Sequence, residues 1–139
     1  MEKKQASVWW VGFFLAATVL IVSSILGFAL MIVLGLISSF LPVIDWLIYT
    51  ESGAYVMTVV GFVILAFATA YQSVFTRKRY SITDFGKAVH AAVGIYVVIV
   101  LLFMGYDWWT GNLPVWQDYV VNIISAVIFY VVSKKYLHA

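Results

Sequence analysis

Long apolar stretches alternate with short polar ones along this chain. After Lys3 and Lys4 no charged residue occurs until Asp45, and further apolar runs extend from about Ala54 to Val74, Ala88 to Tyr106 and Val115 to Val132. Each is close to or longer than the roughly 20 residues needed to cross about 30 Å of hydrocarbon. A backbone without water must satisfy its own hydrogen bonds, so each run is predicted to be an α-helix. The predicted spans are residues 8–40, 54–75, 85–106 and 115–134. Together they make one all-α integral membrane domain over 1–139, an antiparallel four-helix bundle with an overlong first helix.

Local signals place the ends of these helices. Pro42 is expected to close the first one, leaving Ile44 to Tyr49 at the membrane interface. Ser81, Ile82, Thr83 and Asp84 form a capping-box pattern that would start the third span. Gly111, Asn112 and Pro114 supply a turn before the fourth. Connections this short predict antiparallel packing of sequence neighbours.

Composition agrees with a lipid solvent. Hydrophobic residues make up 65% of the chain and charged residues 10%, with a mean hydropathy of +1.04, which excludes a water-soluble surface. Charge position then sets the topology. The first and third loops hold Asp45, Glu51, Asp107 and Asp118 and no Lys or Arg, whereas the basic residues lie at Lys3 and Lys4, at Arg77, Lys78, Arg79 and Lys87, and at Lys134 and Lys135. Four spans put all eight on one side, giving cytoplasmic termini in a cell (inner) membrane. Breaking the first run into a hairpin would make five spans and put Arg77 to Arg79 opposite Lys3 and Lys4. Trp and Tyr at both sets of helix ends suit the headgroup zones. The first run is too long for a signal peptide and is read as an uncleaved span.

Candidate chemistry is sparse. Ser23, Gly27, Met31, Gly35 and Ser39 recur every four residues, a mostly small stripe suited to close helix packing. Thr58, Gly61, Leu65, Ala68 and Gln72 make a second stripe with the spacing of a left-handed helix interface. His90 has the chemistry of a proton acceptor or haem ligand, although an interfacial histidine bonded to a neighbour or a headgroup explains it more simply. Paired haem ligation would need His138 or a second chain. Asn122 and Ser125 read as interhelical hydrogen-bonding groups. The basic residues Arg77, Lys78, Arg79, Lys87, Lys134 and Lys135 are candidate contacts for lipid headgroups as well as topological signals.

Absent residues narrow the function. No Asp, Glu, Lys or Arg lies in the central part of any span, and coupled pumps and proton relays use such groups. No clustered metal ligands and no nucleophile with a nearby base occur, and Cys is missing altogether. No cofactor, metal, nucleic acid or catalysis is expected.

The inner ends of the second and fourth spans read alike: Phe75, Thr76, Arg77, Lys78, Arg79 and Tyr80 in one, Ser133, Lys134, Lys135 and Tyr136 in the other. This pairing resembles the GtrA-like family of small four-span proteins, implicated in moving or presenting polyprenyl-phosphate-linked sugars. The resemblance implies that Arg77 to Arg79 and Lys134 with Lys135 face a lipid phosphate. The chain departs from that pattern in its long first helix, in lacking an early Asn there, and in carrying Gln72 where the family tends to place Asn.

The leading expectation is a non-catalytic accessory or assembly subunit of a larger membrane complex, touching membrane lipids and other subunits or its own copies. Two alternatives stand beside it: a small transporter or flippase-like protein for lipid-linked sugar, and a small pore or immunity-type membrane protein.

Overall fold

The computed structural model describes residues 4–82, 84–112 and 115–138. It contains helices α1 (Val8–Ile37), α2 (Pro42–Tyr49), α3 (Glu51–Arg79), α4 (Phe85–Trp109) and α5 (Trp116–Ser133). A π-helical turn, Lys134–His138, prolongs α5, and two-residue strands β1 (Lys4–Gln5) and β2 (Tyr80–Ser81) complete the fold. Four helices are long and apolar enough to cross a membrane, so this is a multi-pass membrane protein.

Side chains at the helix ends take up backbone groups that the helices leave over. Ser7 accepts from the Trp10 amide at 3.1 Å, Thr50 from Gly53 at 3.0 Å and Asp84 from Lys87 at 3.1 Å. Val115 has no such acceptor, so Asp118 reaches back to its amide at 3.0 Å. After Trp109 the chain leaves α4 through Gly111, whose φ is +90°. Gly111 donates to Trp108 and Asn112 to Asp107, the paired bonds of a Schellman ending.

Two local expectations need correction. First, α1 ends at Ile37, and Pro42 opens α2 instead of closing α1. A proline at the first helical position has no amide to leave unpaired, which favours a new start there. Second, Ser81 does not cap α4. It lies extended in β2 opposite Gln5, so Asp84 becomes the cap, while Thr83 and Pro114 lie outside the described residues. As expected, α1 is longer than a crossing needs, its 30 residues reaching about 45 Å, and α3 with 29 is nearly as long.

The helices form a ring in which α1 packs on α3 and α4, and α5 packs on the same two. Consecutive α3 and α4 barely touch and sit across the diagonal. The short connection between them therefore crosses the end of the bundle, against the expected pairing of sequence neighbours. Because successive spans alternate in direction, the α1–α4 contact is parallel. Gly12 on α1 meets Ala91 and Ala92 on α4, where an added Cβ would lie 2.9 Å from the Ala91 Cβ, and Ala16 and Ala88 are buried in the same core. Each helix carries small residues four apart, the spacing that lets backbones approach.

The basic segments share one end of this ring. β1 pairs in parallel with β2, which holds the chain before α1 against the connection after α3. The terminal π turn packs on α3 and α4 at that same end and inserts the fully buried Leu137. The core lies in the adjoining half, built from Val11, Leu15, Ala16 and Val19 of α1, Leu65 of α3, Ala88, Val89, Ala92 and Tyr96 of α4, and Phe129 of α5. Tyr96 and Phe129 stack at 4.8 Å between centroids. In the other half, none of residues 20–33, 54–64, 97–109 or 116–128 is buried. The bundle is closed at its basic end and splayed at its acidic end.

Candidate functional site: the basic end and its two seams

Two groups of basic residues occupy opposite seams of the closed end. On the α1–α3 seam, the Arg79 guanidinium lies 5.4 Å from the Phe14 ring and 5.6 Å from Tyr80. Trp10 Nε1 donates to the Tyr80 hydroxyl at 3.2 Å, and the Phe14 and Tyr80 rings meet edge to face at 5.2 Å. Such cation–π and aromatic contacts clamp the strand pair to the helices, so Arg79 has a packing role. Arg77 and Lys78 are exposed beside it.

On the α4–α5 seam, Lys87 and His90 from α4, Tyr130 from α5 and Lys134 from the π turn line a recess of about 300 Å³ together with Asp84. Lys134 Nζ stands 5.7 Å from the Tyr130 ring, and His90 faces the same ring at 5.8 Å between centroids. His90 Nδ1 lies 2.9 Å from the Gly86 carbonyl. A carbonyl only accepts, so Nδ1 carries the hydrogen and Nε2 is left free. Lys135 leans over Tyr136 at 5.4 Å and does not enter the recess. The side chain of His138 lies outside the described residues.

Lys87 and His90 also border a second recess, of about 390 Å³, between the start of α1 and α4. Its walls are Val8 and Trp9, and its floor is Ala91 and Gly94. A Cβ on Gly94 would meet nothing within 4 Å, so this groove is open along the helix.

The two alike helix ends thus come to the same end of the molecule but to different seams. Lys87, adjacent to neither, joins Lys134. Among the described residues no three His, Asp or Glu side chains converge as metal ligands. No family model, curated protein or solved structure matches this chain.

The predicted packing stripes divide in the same way as the bundle. Leu65 and Ala68 are buried, and the buried face of α3 continues through Thr69, Gln72, Ser73 and Thr76. Thr69 and Thr76 return their hydroxyls to carbonyls of their own helix at 2.7 and 2.6 Å, while the Ser73 hydroxyl finds no partner among the described residues. Gly61, by contrast, faces open space, and so do Gly27 and Gly35. Ser23 bonds its own helix at Val19, and Ser39 is exposed. Among the described residues, no other helix comes within 4 Å of a Cβ at Gly27 or Gly35 of the Ser23–Ser39 stripe. The close approach occurs at Gly12 instead, where a Gly-x-x-x-Ala spacing carried the signal.

Asn122 donates to the Met104 sulfur at 3.1 Å across the α4–α5 seam, in the splayed half. Thioether sulfur is a weak acceptor, so most of the amide's hydrogen-bonding capacity is left over. Ser125 returns its hydroxyl to the Val121 carbonyl at 2.8 Å.

Proposed function

We propose that this protein is a non-catalytic accessory or assembly subunit of a membrane complex, resident in the cell (inner) membrane with its basic end in the cytoplasm. The observation that supports this most is the bare outer part of α1. Beyond Val19 the only buried residue of that helix is Leu34, and Gly27 and Gly35 have nothing within 4 Å of an added Cβ. Bare apolar surface alone suits lipid. Glycines on that surface are different, because they lower helix propensity and return nothing in lipid unless another backbone approaches. The helix of another subunit, or of a second copy, would use that approach. The distribution of basic residues supports the cytoplasmic orientation.

Replacing Gly27 and Gly35 together by Leu tests the reading, because a Cβ at either position meets nothing of this chain within 4 Å. Native mass measurement of protein purified in mild detergent is expected to show the wild type bound to another subunit or to its own copies. The variant is expected as a single chain of unchanged helical content. A wild type that runs as a lone chain, or a variant that keeps its companion, contradicts the proposal.

A further inference from the structure

The paired recesses around Lys87 and His90 carry a second assignment, independent of the accessory-subunit reading. We infer that they form a binding site for one anionic phosphodiester lipid with a hydroxylated headgroup, its phosphate between Lys87 and Lys134 and a chain along Ala91 and Gly94.

Charge selects the phosphate. Lys87, Lys134 and Asp84 all line the recess, which sets two ammonium groups against one carboxylate in its charge balance. Asp84 Oδ1 also accepts from the Lys87 amide, which offsets part of its charge. The surplus is a single positive charge, matched by a phosphodiester monoanion; a dianionic monoester would be left one charge short. Gly86, in the first turn of α4, lines the same recess, so the positive end of the helix dipole adds to the attraction.

Hydrogen bonding selects the headgroup. With Nδ1 committed to Gly86, a neutral His90 ring presents the Nε2 lone pair, which can only accept. A phosphate oxygen has no hydrogen to offer it. A hydroxyl on the second or third carbon beyond the phosphate does, as in a glycerol headgroup. The Tyr130 hydroxyl belongs to a half-buried ring of the same recess, where it would donate to the phosphate from the other side.

The neighbouring groove selects a lipid over a soluble phosphate. It starts at the same two residues and runs over small side chains between Trp9 and α4. At the basic end a lipid phosphate stands at headgroup depth, level with Trp9 and the first turns of α4, and its chain points along the groove into the membrane. Arg77 and Lys78 line neither recess and serve as a control for diffuse attraction to anionic lipid.

The test measures retained lipid by native mass spectrometry of the whole chain in micelles containing phosphatidylglycerol and phosphatidylcholine. Wild-type protein is expected to keep one phosphatidylglycerol. Lys87→Gln with Lys134→Gln should lower that retention by about tenfold or more, and Arg77→Gln with Lys78→Gln should leave it within about twofold. Phosphatidylethanol has the same charge and no headgroup hydroxyl, and is expected to be held more weakly. Gly94→Leu fills the groove without touching the charges and should also reduce retention. Equal losses in the two double variants would show diffuse attraction and overturn the assignment. So would unchanged retention in either the Lys87, Lys134 pair or Gly94→Leu, or equal holding of phosphatidylethanol. Displacement of the lipid by inorganic phosphate alone would assign the recess to a soluble ion and overturn it as well.

Discussion

Glycine has two opposite meanings in this protein, and the difference lies in what faces the missing side chain. Gly12 lies against Ala91 and Ala92, where a Cβ would come within 2.9 Å of both. Gly12→Val is therefore expected to push α1 from α4 and destabilise the bundle by about 1–3 kcal/mol, the usual cost of overpacking. A fall in the thermal unfolding midpoint of purified protein would show it, and an unchanged midpoint would mean that the two helices do not meet there. At Gly53 the neighbour is backbone, the carbonyls of Trp46 and Leu47, which seats α2 on the first turn of α3. The polar residues of α3 make the same point about context. Thr69 and Thr76 satisfy themselves within the helix, at little cost in a buried face, whereas the buried Ser73 hydroxyl meets no partner among the described residues.

Helices of this chain are set by hydrophobic length and then trimmed by caps. Four apolar runs and their approximate limits were readable because nothing but a helix satisfies the backbone in hydrocarbon. The trimming was less readable. Ser81 looked like a cap because its spacing to Asp84 is right, but a strand pair of only two residues holds it extended, and no local pattern announces that pairing. Asp84→Ala should therefore fray the first turn of α4 and cost about 1 kcal/mol, while Ser81→Ala should cost little. Faster amide exchange at Lys87 and Ala88 in the first variant alone would be the expected result, and equal effects would restore Ser81 as the cap. The π turn after Ser133 was also hidden, since Lys134, Lys135 and Tyr136 read as a frayed basic end. Only the packing shows that the turn directs Leu137 into the core. In the recess, Lys87, His90 and Lys134 were each visible as candidates from residue type and position. That they face one cavity depends on the seam between α4 and α5, which periodicity does not specify.

For the whole molecule, the closed basic end and the splayed acidic end follow from where small residues and aromatic clamps sit. Gly12, Ala16, Ala88 and Ala92 allow close contact near the basic end, and Trp10, Phe14, Tyr80 and Arg79 tie the strand pair to it. Nothing comparable joins residues 20–33 to the rest, and that open half is where another membrane helix fits the proposed role. Both the site and the role depend on one arrangement, in which the strand pair, the α3–α4 connection and the terminal turn share a face of the membrane. The absence of native Cys makes this arrangement directly measurable with single introduced cysteines at Ser81, Lys135, Glu51 and Asn112. With a membrane-impermeant thiol reagent on sealed right-side-out vesicles, Glu51→Cys and Asn112→Cys are predicted to label, and Ser81→Cys and Lys135→Cys only after lysis. Labelling that separates Ser81 from Lys135 across the membrane would contradict the account.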